Sequence, residues 1–410
     1  MKDSTPSSPG GKQASRRKPA KLKKPKGFPL SIHQGSGYWC KKVDGHVYYF
    51  GRVADDLKGK EALKRWLDEK DDLLAGRTPK AREPDAITVA DLSNHFLTHH
   101  ARRRDDGAIS PRTFLCLHTT CANMVHKDAL GKKQAVSDLG PDDFDRLRQH
   151  LAKTRQAVAL GNEMTRCRSV FKYAFKNGLI DRPVRYGSQF DKPPQKQLRR
   201  NKREHQQEHG ARMLEAADIR KILAACNPQM RAMVLLGVNA ALGQSDLSAL
   251  PKSALDLDAA MLDYPRPKTE ADRLCPLWSE TVAALRLAID ARPKPKDPAD
   301  DNLVFVTSRG SRFVKFSTGG LPTDVLGASF TNLLKKLGLK RRGLSFYCLR
   351  HSFRTVADAV LDDTAVNLIM GHCDSSMAAH YRERVGKDRL QKVTEHVRAW
   401  LFAEEEEAIG

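Results

Sequence analysis

The hydrophobic pattern of the chain changes character several times, and its first apolar segment is the shortest. There, aromatic and β-branched residues alternate with polar ones, and glycine-containing turns separate short strands. Leu63, Trp66 and Leu67 follow at helical spacing, which predicts a helix after the strands. We therefore predict a small sheet-plus-helix module over residues 28–75, followed by a linker over residues 76–87.

The second apolar segment, residues 88–190, has the period of packed helices. Thr88 and Asp91 have the spacing of a capping box, and Pro111 and Pro141 stand at further helix starts. Apolar residues recur three and four positions apart after each start. This segment therefore predicts an all-helical domain with short loops.

The third segment, residues 214–402, mixes both periods and predicts an α/β domain. Its predicted strands are 261–264, 274–278 and 303–307, and its predicted helices are 216–226, 279–291, 327–337, 347–361, 363–370 and 386–402. The whole chain is therefore expected to be mainly α with small β elements, an α+β protein.

Three remaining segments lack an apolar period. Residues 1–27 are dominated by Ser, Pro, Gly and Lys, so they cannot repay their ordering entropy and predict a basic disordered tail or a phosphate-contacting arm. Residues 191–213 predict a basic interdomain linker, which alternatively follows a phosphate backbone. Residues 403–410 predict a solvated acidic tail.

Charge indicates the class of partner. The 410 residues carry a formal net charge of +22, far more than solubility needs, which favours a polyanion such as double-stranded DNA. No apolar run is long enough for a membrane span, and no secretory pattern is present. The eight cysteines form no CxxC pair and predict buried thiols. We expect a cytoplasmic, nucleoid-associated protein without a membrane or small-molecule partner.

Four residue types in the third segment fit attack on a phosphodiester without metal. Tyr381 would supply the oxygen nucleophile, and Arg350 offers a planar fork to two phosphate oxygens. Lys268, in a predicted hairpin turn, would protonate the departing oxygen. His372 would hydrogen-bond the phosphate or relay a proton. Each also has a plain structural reading: a packed tyrosine, an ion pair of Arg350 with Asp358 or Asp362, a turn histidine and a hairpin-tip lysine.

These motifs resemble those of the tyrosine recombinase (phage integrase) family. The segment CLRHSF at 348–353, Gly371-His372 and Tyr381 follow the family's order and spacing. The resemblance implies a helical core-binding domain, a catalytic domain and an arm-binding-like first module that act on duplex DNA as a homotetramer. It also implies a 3′-phosphotyrosine at Tyr381 and a freed 5′-hydroxyl, with neither ATP nor a metal cofactor.

Two positions depart from the family's pattern. The family's first arginine is replaced by Gly243, and its HxxR histidine is replaced by Tyr347, whose phenol can also donate to a phosphate oxygen. A helix C-cap is the simplest structural reading of Gly243. We hypothesise that Arg266 or Arg273, on either side of Lys268, replaces the missing guanidinium.

Two basic clusters in the helical domain are candidate DNA contacts or plain solvated charges: Arg102, Arg103, Arg104, Lys132 and Lys133. A nearby group of thiols and imidazoles predicts no zinc site, because its members fall on several faces of one predicted helix: Cys116, His118, Cys121 and His126.

The sequence therefore predicts a site-specific DNA recombinase or integrase of a mobile element. Gly243 supports one alternative, a catalytically impaired DNA-binding protein with the same fold. A second alternative is strand cleavage like that of a type IB topoisomerase, which uses the same chemistry without strand exchange.

Overall fold

The computed structural model describes most of the chain, in two units that divide after Ala86. The described residues are 24–25, 27–76, 86–317, 319–373, 377, 381 and 383–403. The predicted basic tail, linker and acidic tail lie largely outside them: 1–27, 76–87 and 403–410. Across the helices of the described part, none is long and apolar enough to cross a membrane.

The first unit is the predicted sheet-plus-helix module. Strands β1 (Ser31–His33), β2 (Tyr38–Val43) and β3 (His46–Arg52) form an antiparallel sheet in that order, and α1 (Lys60–Leu74) follows. Trp39, Phe50 and Trp66 are buried between sheet and helix. The indole of Trp39 also donates to the carbonyl of Asp56 at 2.8 Å, which satisfies its buried N–H.

The second unit begins with helices packed around one apolar core. They are α2 (Val89–Asp105), α3 (Pro111–Met124), α4 (Pro141–Ala152) and α5 (Ala157–Lys176). The predicted capping box is present at the start of α2, where the Thr88 and Asp91 side chains bond each other's backbone N–H. Phe96, Phe144 and Phe171 are buried where these helices meet. The periodic apolar positions therefore form the core of this part.

A further helix, α6 (Gln195–His209), lies where only a basic linker was predicted. All its residues are among those described, and none is buried. The sequence gives no apolar stripe here, so the helix was missed. Arg341 holds the end of this helix. Its Nη1 donates to the carbonyl of His209 at 2.5 Å, and its Nη2 donates to the carbonyl of Ala211, just past the helix, at 2.6 Å.

Removing this guanidinium is expected to loosen the end of α6. In Arg341→Ala, hydrogen exchange of the amides near His209 should accelerate by roughly tenfold or more, because a helix end without buried contacts frays readily. Hydrogen–deuterium exchange with mass spectrometry measures this. The exposed Arg309→Ala is the matched control. Unchanged protection in Arg341→Ala would mean that α6 is stable without this contact.

The rest of the second unit is the predicted α/β region. Its helices are α7 (Ala216–Ala225), α8 (Pro228–Asn239), α9 (Gln244–Ser248), α10 (Ser279–Asp290), α11 (Val325–Lys336), α12 (Cys348–Ala357), α13 (Asp363–Met370) and α14 (Lys387–Phe402). Antiparallel sheets are formed by β4 (Leu255–Asp256), β5 (Met261–Asp263) and β6 (Leu274–Pro276), and by β7 (Val314–Phe316) and β8 (Pro322–Asp324). Helix α8 lies in the core, and the apolar stripe of α14 packs against the same core.

The predicted strand over 303–307 is wrong. Leu303 makes one isolated bridge with Pro251, and Val304 donates its N–H to the Leu250 carbonyl at 2.9 Å. Beyond these contacts the segment is buried chain outside any sheet ladder. A short run of apolar residues indicates that a segment is buried. Burial alone does not distinguish a strand from irregular chain.

Candidate active site

Arg350 lies in the first turn of α12 and is almost completely buried, with 3% of its surface exposed. Its Nη1 donates to the carbonyl of Ala241 at 2.5 Å, and its Nη2 donates to the carbonyl of Met370 at 2.8 Å. Leu349 and Phe353 on the same helix are fully buried and fix its orientation. The guanidinium is therefore held in one plane by two backbone carbonyls.

The alternative reading of Arg350, an ion pair with Asp358 or Asp362, is wrong. Asp358 instead pairs with Arg354 at 2.8 Å, and Asp362 pairs with Arg389 at 2.7 Å. Arg350 points to the opposite, buried side of α12.

His372 is positioned by the end of α13. Gly371 adopts a left-handed conformation with φ of 61°, and the His372 N–H donates to the carbonyl of Asn367 at 2.9 Å. The imidazole Nε2 lies 2.8 Å from Nη2 of Arg350. Because a guanidinium only donates, Nε2 accepts this bond, and the proton of the neutral ring is on Nδ1. His372 is therefore set to donate a hydrogen bond through Nδ1.

Burial, and then the charge of Arg350, lower the pKa of His372 to about 4. Between that pH and the ordinary histidine pKa of about 6.5, the unfolded chain binds more protons here than the folded chain. The contribution of His372 to stability should therefore be fully present above about pH 6.5 and fall as the pH drops towards 4. An NMR titration, with the signal assigned by its loss in His372→Gln, should give a midpoint below 5. A midpoint between 6 and 7 would contradict the contact with Arg350.

Arg273, the residue before β6, lies near Arg350 and His372. We call the cluster of these side chains the pocket. Its side chain is fully buried, and Nη2 donates to Oδ2 of Asp246 at 3.1 Å. The same carboxylate oxygen accepts the N–H of Gly243 at 3.2 Å. Burial lowers the pKa of Arg273 from its ordinary value, and the Asp246 carboxylate opposes this shift. Within the described part of the chain, Nε and Nη1 of Arg273 have no hydrogen-bond partner.

Gly371 brings the arginines together. A Cβ at this position would lie 3.0 Å from Nε of Arg273 and 3.0 Å from Cβ of Arg266, so a side chain here would press against both arginines. Arg266 is half-buried, and no partner for its Nε is found among the described residues. Burial lowers the pKa of Arg350, and the charges of Arg266 and Arg273 add to this shift, so that the pKa falls to about 10. Arg350 therefore remains charged at neutral pH.

Lys268 occupies the turn between β5 and β6, as predicted. The turn is closed by an isolated bridge between Arg266 and Ala271, and Lys268 is exposed at its tip. Glu270 adopts a positive φ of 54° in the same turn. The structure thus places Arg266 inside the pocket and Lys268 two residues away on the exposed side of the hairpin.

Gly243 is an N-cap, so the C-cap reading is wrong. It precedes α9 with φ of −92°, a value that any residue adopts. A Cβ there would meet the Tyr347 ring at 3.5 Å and Oδ2 of Asp246 at 3.9 Å, its nearest neighbours among the described residues. Neither backbone nor space therefore requires glycine at this position. The ring of Tyr347, 40% exposed, lies beside it.

Tyr381 lies on the surface, with 77% of its area exposed. It follows His372 by nine residues, and most of the residues between them are outside the described part. The approach of the Tyr381 hydroxyl to Arg350 and His372 stays a prediction.

The two predicted basic clusters of the helical part lie far apart. Arg102 and Arg103 are exposed in the last turn of α2, and Arg104 pairs with Asp105 at 2.7 Å and covers the Phe114 ring. Lys132 and Lys133 are exposed near the start of α2, where the Lys132 carbonyl accepts from Ala90. The helix separates the clusters by about 20 Å. They therefore form two separate basic surfaces.

Sequence reasoning missed two groups of residues. No local pattern indicates the role of Asp246, because its bond to Arg273 spans 27 positions. The second group is His126, Asp128 and His150. Their imidazole nitrogens and carboxylate oxygen lie within 4.8 Å of one another, close enough to hold a metal ion. His126 and Asp128 lie on the loop after α3, and His150 lies on α4. Their spacing in the sequence gives no signal for this cluster.

One family model matches most of the α/β region. The family model described as the phage integrase family matches residues 212–386, which include Lys268, Tyr347, Arg350, His372 and Tyr381. None of the curated proteins matches the sequence.

Solved structures share the fold. A lambda integrase dimer bound to a COC′ core site has 16% identity and a TM-score of 0.53, covering 91% of this chain and 97% of its own. A lambda integrase tetramer bound to a Holliday junction has 15% identity, the same TM-score of 0.53 and coverages of 88% and 97%. The Tn1549 transposon integrase, with a circular intermediate DNA, has 17% identity, a TM-score of 0.50 and coverages of 76% and 99%. The predicted mainly α architecture with small sheets is confirmed.

Proposed function

We propose that this chain is a tyrosine recombinase, which breaks and rejoins DNA strands at specific sites through Tyr381, because the phage integrase family model matches its residues 212–386. The observation that carries this proposal is the buried Arg350 guanidinium, bonded to His372 and close to Arg266 and Arg273. These positively charged side chains and their hydrogen-bond donors would together bind one phosphate group.

The reaction follows from these side chains. The phenolic oxygen of Tyr381 attacks the phosphorus of a DNA phosphodiester, its proton passes to water, and a phosphorus–oxygen bond to tyrosine forms. The bond from phosphorus to the 5′ oxygen breaks, and Lys268 protonates that oxygen. The products are a 3′-phosphotyrosine and a free 5′-hydroxyl. Attack by another 5′-hydroxyl reverses these steps and joins new strands, so the bond energy is kept and neither ATP nor metal is needed.

Arg350 and His372 stabilise the transition state. The attacked phosphorus gains negative charge on its non-bridging oxygens, and donors that are already fixed by the protein need no reorganisation to meet that charge. Tyr347, whose ring lies beside Gly243 and is partly exposed, would add a phenolic donor.

Double-stranded DNA is the proposed partner. The net charge of +22 favours a polyanion, and exposed basic groups at both ends of α2 suit backbone phosphates. Two duplexes that each undergo two cleavages need four tyrosines, so we propose a homotetramer on DNA and a location at the chromosome or element that carries the site.

The test is a trapped covalent complex. The purified chain is incubated, in chelator and without nucleotide, with duplexes from the element's ends that carry a nick near the cleavage position. Loss of the short fragment prevents religation, so a denaturation-resistant protein–DNA species should accumulate. If the protein binds these duplexes and no such species appears, cleavage by this chain is contradicted.

Gly243 favours a second candidate, a protein that binds DNA through the same fold without cutting it. One missing positioned donor to a developing oxyanion costs roughly 10²–10³ in rate. Binding without adduct would support this candidate. Adduct formation together with relaxation of a single duplex, and without pairing of two duplexes, would instead indicate topoisomerase-like cleavage.

A further inference from the structure

We propose that Arg273 is a catalytic residue, the second guanidinium that contacts the scissile phosphate, in place of the arginine missing at Gly243. This inference deepens the proposed function and rests on it. It also chooses between the two arginines of the hairpin, which the sequence leaves open.

Arg273 has donors without acceptors. A guanidinium carries five N–H groups, and a buried donor without a partner costs on the order of 1–3 kcal/mol, more for a charged group. Nε and Nη1 of the fully buried Arg273 have no partner among the described residues. An oxyanion with several acceptor lone pairs would satisfy both, and a DNA phosphate is such a group.

Arg273 and Arg350 meet at the same short turn. Arg350 bonds Met370 through its carbonyl and His372 through Nε2, the two neighbours of Gly371. Nε and Nη2 of Arg273 lie 3.0 and 3.2 Å from the Cβ position of Gly371 itself. The two guanidinium groups therefore contact the same three-residue turn.

Asp246 is the positioning residue for this arrangement. Its carboxylate holds Nη2 of Arg273 at 3.1 Å and the N–H of Gly243 at 3.2 Å. The guanidinium is thus tied to the N-cap of α9, the position where the family's pattern has its first arginine. Asp246 accepts from Nη2 alone, so the ion pair anchors the group while Nε and Nη1 lack an acceptor among the described residues.

Arg266 is less suited to this role. It is half-buried on the hairpin, whereas Arg273 is fully buried and anchored by a carboxylate. A preorganised donor stabilises a transition state more than a mobile one, because no ordering is needed during the reaction. We assign Arg266 to a supporting phosphate contact from the hairpin side.

The test is a rescue experiment on the nicked-duplex adduct assay. Arg273→Ala should slow adduct formation by roughly 10²–10³ while DNA affinity changes only a few-fold. Gly243→Arg places its Cβ without a clash, since the nearest described atoms lie 3.5 Å from that position. The double variant Gly243→Arg/Arg273→Ala should recover at least about tenfold of the lost rate, because a guanidinium again enters from α9.

Arg273→Lys separates a loss of catalysis from a loss of folding. It keeps a cation beside Asp246 but loses the planar fork, so we expect a folded protein whose rate is reduced by about tenfold or more. The exposed Arg309→Ala is the control for loss of charge alone. Thermal unfolding of each variant identifies any that do not fold, and the comparison is then made with Arg273→Lys.

The outcomes separate this inference from the proposed function. Wild-type rates in Arg273→Ala or Arg273→Lys would overturn the role of Arg273 while leaving cleavage by Tyr381 intact. A slow Arg273→Ala that Gly243→Arg does not restore would make Arg273 a structural residue and overturn the inference. A wild-type chain that binds DNA but forms no adduct would instead contradict the proposed function itself.

Discussion

Replacing Tyr381 with phenylalanine is expected to abolish the covalent adduct with nicked DNA, with a loss of more than about 10⁴-fold in rate. Phenylalanine keeps the ring and lacks only the oxygen that forms the bond to phosphorus. Because Tyr381 is 77% exposed, the substitution should leave the free energy of unfolding almost unchanged. Gel analysis after denaturation measures the adduct, and filter binding measures DNA affinity.

Tyr49→Phe is the matched control, since Tyr49 is an exposed tyrosine of the first unit with 51% of its area accessible. It should form adduct at the wild-type rate. Adduct formation by Tyr381→Phe would show that another side chain is the nucleophile and would remove the basis of the proposed reaction.

Replacing Arg350 with alanine is expected to slow adduct formation by roughly 10³-fold or more, because the charge that develops on the phosphate loses its buried fork. The substitution also removes the donor 2.8 Å from Nε2 of His372. The pKa of His372, which that guanidinium helps to lower, should therefore rise in this variant. Rates measured under single-turnover conditions, together with the NMR titration of His372, report both effects.

Arg354→Ala is a control on the same helix, because Arg354 pairs with Asp358 and Asp363 on the outer side of α12. Its rate should remain within a few-fold of wild type. Equal losses in Arg350→Ala and Arg354→Ala would indicate that destabilised α12 packing, rather than a phosphate contact, explains the defect.

The sequence predicted the parts of the site that depend on local structure. His372 follows a glycine that ends α13, and a left-handed C-cap is readable from sequence. Arg350 falls in the first turn of a helix whose apolar residues mark the buried face. Lys268 lies in a turn between two short strands, as proposed. Helix, turn and cap signals act over a few residues, so one sequence suffices to find them.

Long-range features were beyond the sequence. The bond between Asp246 and Arg273 joins residues from α9 and the edge of β6, and only the folded chain shows that Arg273 is buried. Gly243 was misread because a glycine between two helices fits a C-cap as well as an N-cap. Helix α6 lacks the apolar stripe on which helix prediction depends.

The central claim is a covalent link between Tyr381 and the 3′ side of a cut DNA strand. Its most direct test is mass spectrometry of the trapped adduct after digestion with protease and nuclease. We predict a single modified peptide that contains Tyr381 and carries a nucleoside 3′-phosphate on the phenolic oxygen. A modified residue elsewhere in the chain, or a nucleotide joined through its 5′-phosphate, would contradict the account.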